Sequence, residues 1–193
     1  MKTAIQNYYK RVRTYSHNYF DVVKKSLTLA DKDIAKKLRG GYYPVKRKKR
    51  TNTKPFKDKY GYSLPEEIDN YINIFYHVYI FGYCNSWDCI VLFNVFPYEG
   101  ADDDSILFQK YGLMDLAASW VDIDKGNIEK FVPIGWLYDG TSVLYEVKTG
   151  NIYLEDFDND GIAEEKPIAK SLKDLIMSLD LTGTIGRRGY KPE

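Results

Sequence analysis

Three groups of residues carry side chains that metal or acid–base chemistry would need. Asp156-Phe157-Asp158-Asn159-Asp160-Gly161 sets oxygens at alternate positions ahead of a glycine, the pattern of the first half of an EF-hand calcium loop. The twelfth position of such a loop needs a bidentate Glu and is Pro167 here, while Glu164 and Glu165 fall too early. The stretch therefore reads as a solvated acidic turn. Asp102-Asp103-Asp104 places three carboxylates side by side, with no His nearby in sequence, and reads as a solvated acidic loop. Cys84 and Cys89 are spaced C-x4-C beyond His77, whereas zinc sites use C-x2-C pairs and four ligands. Only one other His, His17, is present, and the two thiols are expected to be buried structural groups. No Ser has a G-x-S-x-G context, and Gly183, Gly186 and Gly189 do not lead into a helix as a phosphate loop must. No catalytic residue, metal or cofactor is expected, and the chain reads as a binding protein rather than an enzyme.

What it binds is a question of charge. The chain has 193 residues and a formal net charge of +1. Residues 1–60 hold 18 Lys and Arg against 4 Asp and Glu, and residues 61–193 hold 10 against 23. A basic segment is thus joined to an acidic body. On the acidic side, Asp102, Asp103, Asp104, Glu155, Asp156, Asp158, Asp160, Glu164 and Glu165 could form one patch for a basic partner. Acidic surfaces of this kind mimic phosphate and speed association by steering. On the basic side, Lys46-Arg47-Lys48-Lys49-Arg50 would attract nucleic acid or another polyanion. A third expectation is that the basic segment folds back onto the acidic body, with a tyrosine face supplying most of the packing.

The elements that must position these residues follow from periodicity and breakers. Ile5, Tyr8, Tyr9, Val12, Tyr15, Tyr19, Phe20 and Val23 recur at three and four, predicting a helix over 4–25. A short helix is expected over 30–38, stopped by Gly40-Gly41. Residues 42–59 are polar and bracketed by Pro44 and Pro55, and read as a linker or surface loop. Ser63-Leu64-Pro65-Glu66-Glu67 starts a helix to about Phe75, with Ser63 as the expected cap. Tyr76 to Tyr83 fits helix or strand. Ile90 to Phe96 is expected to be a buried central strand, and Leu107 to Trp120 a helix broken near Gly112. Phe131 to Gly135 reads as an edge strand, because Pro133 cannot donate to a ladder. Ser142–Val147 and Ile152–Glu155 form a hairpin around Lys148-Thr149-Gly150-Asn151, and a terminal helix is expected over 169–181. The order predicts an α+β fold, helices against a mostly antiparallel sheet, with a division into 1–60 and 61–193. No apolar run reaches the ~18 residues of a membrane span, and Met1 to Tyr8 lacks the apolar core of a signal peptide. Cytoplasmic location is the expectation.

The segment FVPIGWLYDGTSVLYEVKTGNIYLEDF, followed by PIAKSLKDLIMSL, resembles the SUKH superfamily of Smi–Knr type. The likeness rests on Pro133-Ile134-Gly135, on Val143 to Leu154 around Gly150, and on Ile168-Ala169-Lys170-Ser171 before the last helix. Leu64-Pro65 stands where the family's first helix begins, so the likeness covers about residues 61–181. Trp136-Leu137-Tyr138-Asp139-Gly140 is bulkier than the family's turn, and residues 1–60 match no part of the pattern. The resemblance implies an α+β fold with a mixed sheet, and a protein-binding role without catalysis. Bacterial members are immunity proteins that neutralise a cognate toxin, often a nuclease or deaminase. Fungal relatives are scaffolds in cell-wall signalling.

The expected function is therefore that of an immunity protein occluding the active site of a cognate toxin protein. Its expected contacts are the acidic residues named above together with Trp136, Tyr138 and Asp139, since Trp and Tyr dominate interface hot spots. The alternative is a nucleic-acid-associated or scaffold protein working through Lys46, Arg47, Lys48, Lys49 and Arg50.

Overall fold

A computed structural model describes residues 1–15, 45–76, 78, 80–84, 88–93, 113–124, 128–137, 139–156 and 162–181. Its strands form one six-stranded sheet: β3 (Phe81–Tyr83), β4 (Cys89–Leu92), β5 (Phe131–Leu137), β6 (Ser142–Glu146), β7 (Ile152–Asp156) and β8 (Ile162–Ala163). They are neighbours in chain order, and each pairing is antiparallel. A separate ribbon joins β1 (Val45–Lys46) to β2 (Phe75–Tyr76). The helices are α1 (Lys2–Tyr15), α2 (Lys54–Tyr60), α3 (Glu66–Ile74), α4 (Leu113–Asp124) and α5 (Leu172–Ser178). The α+β class is as expected; none of the described strand pairs is parallel, so the sheet is antiparallel rather than mixed.

The main core lies between one sheet face and α1, α3 and α5. Ile5 and Tyr8 of α1, Ile68 and Ile72 of α3, and Leu175 and Ile176 of α5 join Ile90, Ile134, Val143 and Ile152 of the sheet in a single buried cluster. Phe56 of α2 belongs to the same cluster. The described parts of residues 1–60 thus pack with the body, by the Ile5 and Tyr8 stripe that the helical period places on one face. Lys54–Tyr60, read from sequence as linker or loop, is a helix with Pro55 in its first turn and Gly61, at φ 83°, ending it. The expected second helix over 30–38 lies outside the described residues.

β5 corrects another expectation. It is not an edge strand but lies between β4 and β6. Proline is tolerated because the register against β6 shifts between Pro133 and Gly135. On the other side β4 pairs only with residues 135–137, so Pro133 is never asked to donate. The bulge also resets the alternation. Phe131, Pro133 and Trp136 face Glu146, Leu144 and Ser142 and share the outer face, while Val132, Ile134 and Leu137 join the core. Gly135 is required there: a Cβ would lie 2.4 Å from the Val91 carbonyl oxygen.

Two further sequence expectations are adjusted. Ser63 does not cap α3; the cap position is Pro65, which offers no side-chain acceptor, and Glu66, Glu67 and Asp69 supply the negative charge of the first turn. α5 is shorter than expected, and Ser171 caps it by accepting from the Asp174 N–H.

Candidate interaction surface

Strand order gathers the candidate partner-binding residues at one end of the sheet. β5 ends at Leu137 and turns into β6 through residues 138–141. The turn is closed by Leu137 N–H to the Thr141 carbonyl and Gly140 N–H to the Leu137 carbonyl. Gly140 takes φ 97°, which glycine adopts without strain. Asp139 is exposed, and its Oδ1 accepts from the Thr141 N–H at 2.9 Å. That backbone bond, with a second from the Thr141 side chain, holds the Asp139 carboxyl below its usual range. Val143 pairs with Leu154, so the same register carries Thr141 to the level of Asp156. β7 ends at Asp156 and β8 begins at Ile162, both at this end. Asp88, before β4, is at this end as well, since Tyr83 pairs with Cys89 and Ile90 with Leu137. Asp139, Asp156 and Asp88 therefore stand on three successive turns of one sheet end.

Three residues before Asp139, on the outer face of β5, lies Trp136, one of two exposed large hydrophobics among the described residues, at 37% exposure. Its cross-strand row on the outer face is Phe81, Val91, Trp136 and Ser142. α4 covers the neighbouring part of that face through Trp120, which packs on Phe131 and Leu144. The junction is held by Glu155, which is 3% exposed. Its carboxylate accepts from Trp120 Nε1 and from the Ser142 N–H, each at 3.0 Å. Glu155 was grouped by sequence with the acidic patch. It is corrected to a buried anchor, because strand alternation turns it under α4. The pairing of Val91 with Trp136 was missed for lack of a register; the bulge that sets it has no sequence signal beyond Pro133 and Gly135.

Of the other candidates, Asp102, Asp103, Asp104, Tyr138, Asp158 and Asp160 lie outside the described residues. Glu164 and Glu165 are exposed beyond β8, where Glu164 N–H bonds the Leu154 carbonyl, so they run back from the acidic end. Cys89 is buried, Cys84 half-buried, and neither is in a disulfide. Among the described residues no group of His, Cys, Asp and Glu could hold a metal ion, and no helix is long and apolar enough to cross a membrane.

The basic run is not one solvated face. Lys46, Lys48, Lys49 and Arg50 are exposed, but Arg47 is buried, at 8% exposure. Its Nε donates to the carbonyls of Ile72 and Phe75, and its backbone N–H to that of Ile74. A guanidinium at a helix C-terminus meets carbonyls that have no partner within the helix. Arg47 is therefore withdrawn from the polyanion-binding set. Arg50 pairs with Asp69. Arg11 repeats the device, donating to the carbonyls of Ile176 and Leu179 at the end of α5 at 2.6 and 2.9 Å. Glu67 serves the opposite end of α5, accepting from the N–H groups of Leu172 and Lys173 at 3.0 Å each. No family model, curated protein or solved structure matches the chain.

Proposed function

We propose that the protein is a non-enzymatic immunity protein of SUKH type that binds a cognate toxin and covers its active site. The observation carrying this reading is the sheet end described above. An exposed Trp136 adjoins a turn bearing Asp139, whose carboxylate stays ionised, and Asp156 follows on the next turn. An aromatic anchor beside acids suits a basic, phosphate-binding protein site such as that of a nuclease or nucleic-acid deaminase. Its rigidity also supports binding. Glu155, Gly135 and the Asp139 turn fix the backbone on both sides of Trp136 before any partner arrives. The order of β5, the β6–β7 hairpin and a Ser171-capped last helix agrees with the resemblance on which the reading rests. The protein would act in the cytoplasm of the bacterial cell that makes the toxin.

The test is capture of partners by the immobilised full chain from nuclease-treated lysate of its source, washed at high salt, followed by expression of what is retained. The reading predicts one stoichiometric protein that arrests growth when expressed alone and not when co-expressed with this chain. Co-expression with Trp136→Ala or Asp139→Lys should fail to rescue. A retained protein without toxicity, or full rescue by both variants, contradicts it.

A further inference from the structure

We propose that residues 46–59 form a second, separate binding surface, which takes the phosphate backbone of nucleic acid without regard to sequence. The segment has an inward and an outward set. Arg47, Thr51 and Phe56 are buried. Arg47 is bonded to the end of α3, the Thr51 N–H donates to Asn73 Oδ1 at 2.7 Å, and Phe56 sits in the main core against Tyr60 and Tyr62. These anchors, with the β1–β2 pairing, fix the backbone. Lys46, Lys48 and Lys49, then Lys54, Lys57 and Lys59, are all exposed on it. Asp58 is the exposed acid within the segment. The Arg50–Asp69 pair and the exposed Glu66 offset charge on the side toward α3. A cationic surface held by three buried anchors loses little chain entropy on binding.

The composition selects the partner. Protein interfaces are depleted in Lys and need an apolar centre, and a lipid surface needs an apolar or lipid anchor in addition to charge. The exposed large hydrophobics among the described residues are Trp136 and Met177, neither in this segment. Phosphate contacts need only positioned cations, and Lys suits them as a point charge. The inference stands apart from the toxin reading, because it is measured with no toxin present.

The test is fluorescence anisotropy of a labelled mixed-sequence oligonucleotide, single-stranded and as a duplex, titrated with the full chain between about 50 and 200 mM salt. The wild type should bind both forms, with affinity falling steeply as salt rises. Lys49→Glu, Lys54→Glu and Lys57→Glu together should weaken binding at least about tenfold and flatten the slope of log affinity against log salt by about 2 to 3. A control with the same charge change, Lys148→Glu, Lys166→Glu and Lys173→Glu, should stay within about threefold of the wild type, since short-range contacts and not net charge are at issue. If circular dichroism shows the triple variant unfolded, Lys49→Gln alone decides, with an expected slope change of about 0.9. No binding by the wild type, equal losses in both triple variants, an unchanged Lys49→Gln slope, or preference for phosphatidylserine vesicles over the oligonucleotide would overturn the proposal.

Discussion

The acidic sheet end and the basic segment 45–60 divide their charged residues in the same way. In each, one charged side chain turns inward and holds backbone, while its neighbours along the chain stay outside. The difference lies in what is held. Glu155 is an acceptor and takes donors, Trp120 Nε1 and the Ser142 N–H, so it ties α4 to the start of β6. Arg47 is a donor and takes carbonyls, so it closes the C-terminal end of α3. Arg11 and Glu67 repeat the two roles at opposite ends of α5. The lesson is that at these four places a charged side chain is bonded to backbone N–H or carbonyl groups. Arg50–Asp69 is an ion pair between the two segments, and an exposed pair contributes under ~1 kcal/mol. What joins the segments is apolar packing plus charged groups bonded to backbone.

The comparison can be tested most severely where backbone meets backbone. Gly135→Ala forces a Cβ toward the Val91 carbonyl, and should cost about 3 kcal/mol in urea unfolding. Glu155→Ala should cost a similar ~3 kcal/mol, because two buried donors lose their acceptor. Glu155→Gln should recover part of that, since the amide oxygen still accepts one bond. Arg47→Met should cost about 2 kcal/mol by the same measurement, and Arg47→Lys should restore less than half, as an ammonium lacks the planar fork. By contrast, Lys49→Gln should change stability by under ~0.5 kcal/mol. If Arg47→Met costs no more than Lys49→Gln, the division into inward and outward cations fails.

Smaller effects sharpen it. Ser171→Ala removes the cap of α5 and should cost about 1 kcal/mol. The least effect at neutral pH is that of the buried phenols. Burial pushes Tyr62, Tyr71 and Tyr145 upward in pKa. The fold therefore favours the protonated form. That contribution is complete below the ordinary phenol value of about 10, and is lost as pH rises above it, when the unfolded chain ionises first. Stability should fall in this alkaline range, and Tyr71→Phe should flatten the fall. At pH 7 Tyr71→Phe should change stability by less than ~1 kcal/mol, because the hydroxyl is buried without a partner.

How much of this was legible in the sequence depended on the range of the interaction. The β6–β7 hairpin was readable because Gly150, at φ 80°, satisfies a local need between two β-rich runs. The α1 stripe and the α5 stripe were readable from helical spacing. The cap at Ser171 was not read, because the helical spacing was extended back to Ala169. Arg47 was not readable, since a run of five cations looks uniform and β1 is too short for alternation to show. The interior position of β5 was hidden because proline's penalty is set by where the bulge falls, which only pairing with β6 reveals. Trp136 could be named as an anchor candidate from residue type. Its exposure, and the meeting of Asp139 and Asp156 at its end of the sheet, needed the register of the strands.

The most direct test of the account is hydrogen exchange on the full chain, free and bound to the partner that the capture experiment retains, read peptide by peptide. The account predicts new protection over residues 135–142 and at the β7–β8 end near Asp156, with little change over residues 46–59. Protection confined to residues 46–59 or to α5, with 135–142 unchanged, would contradict it.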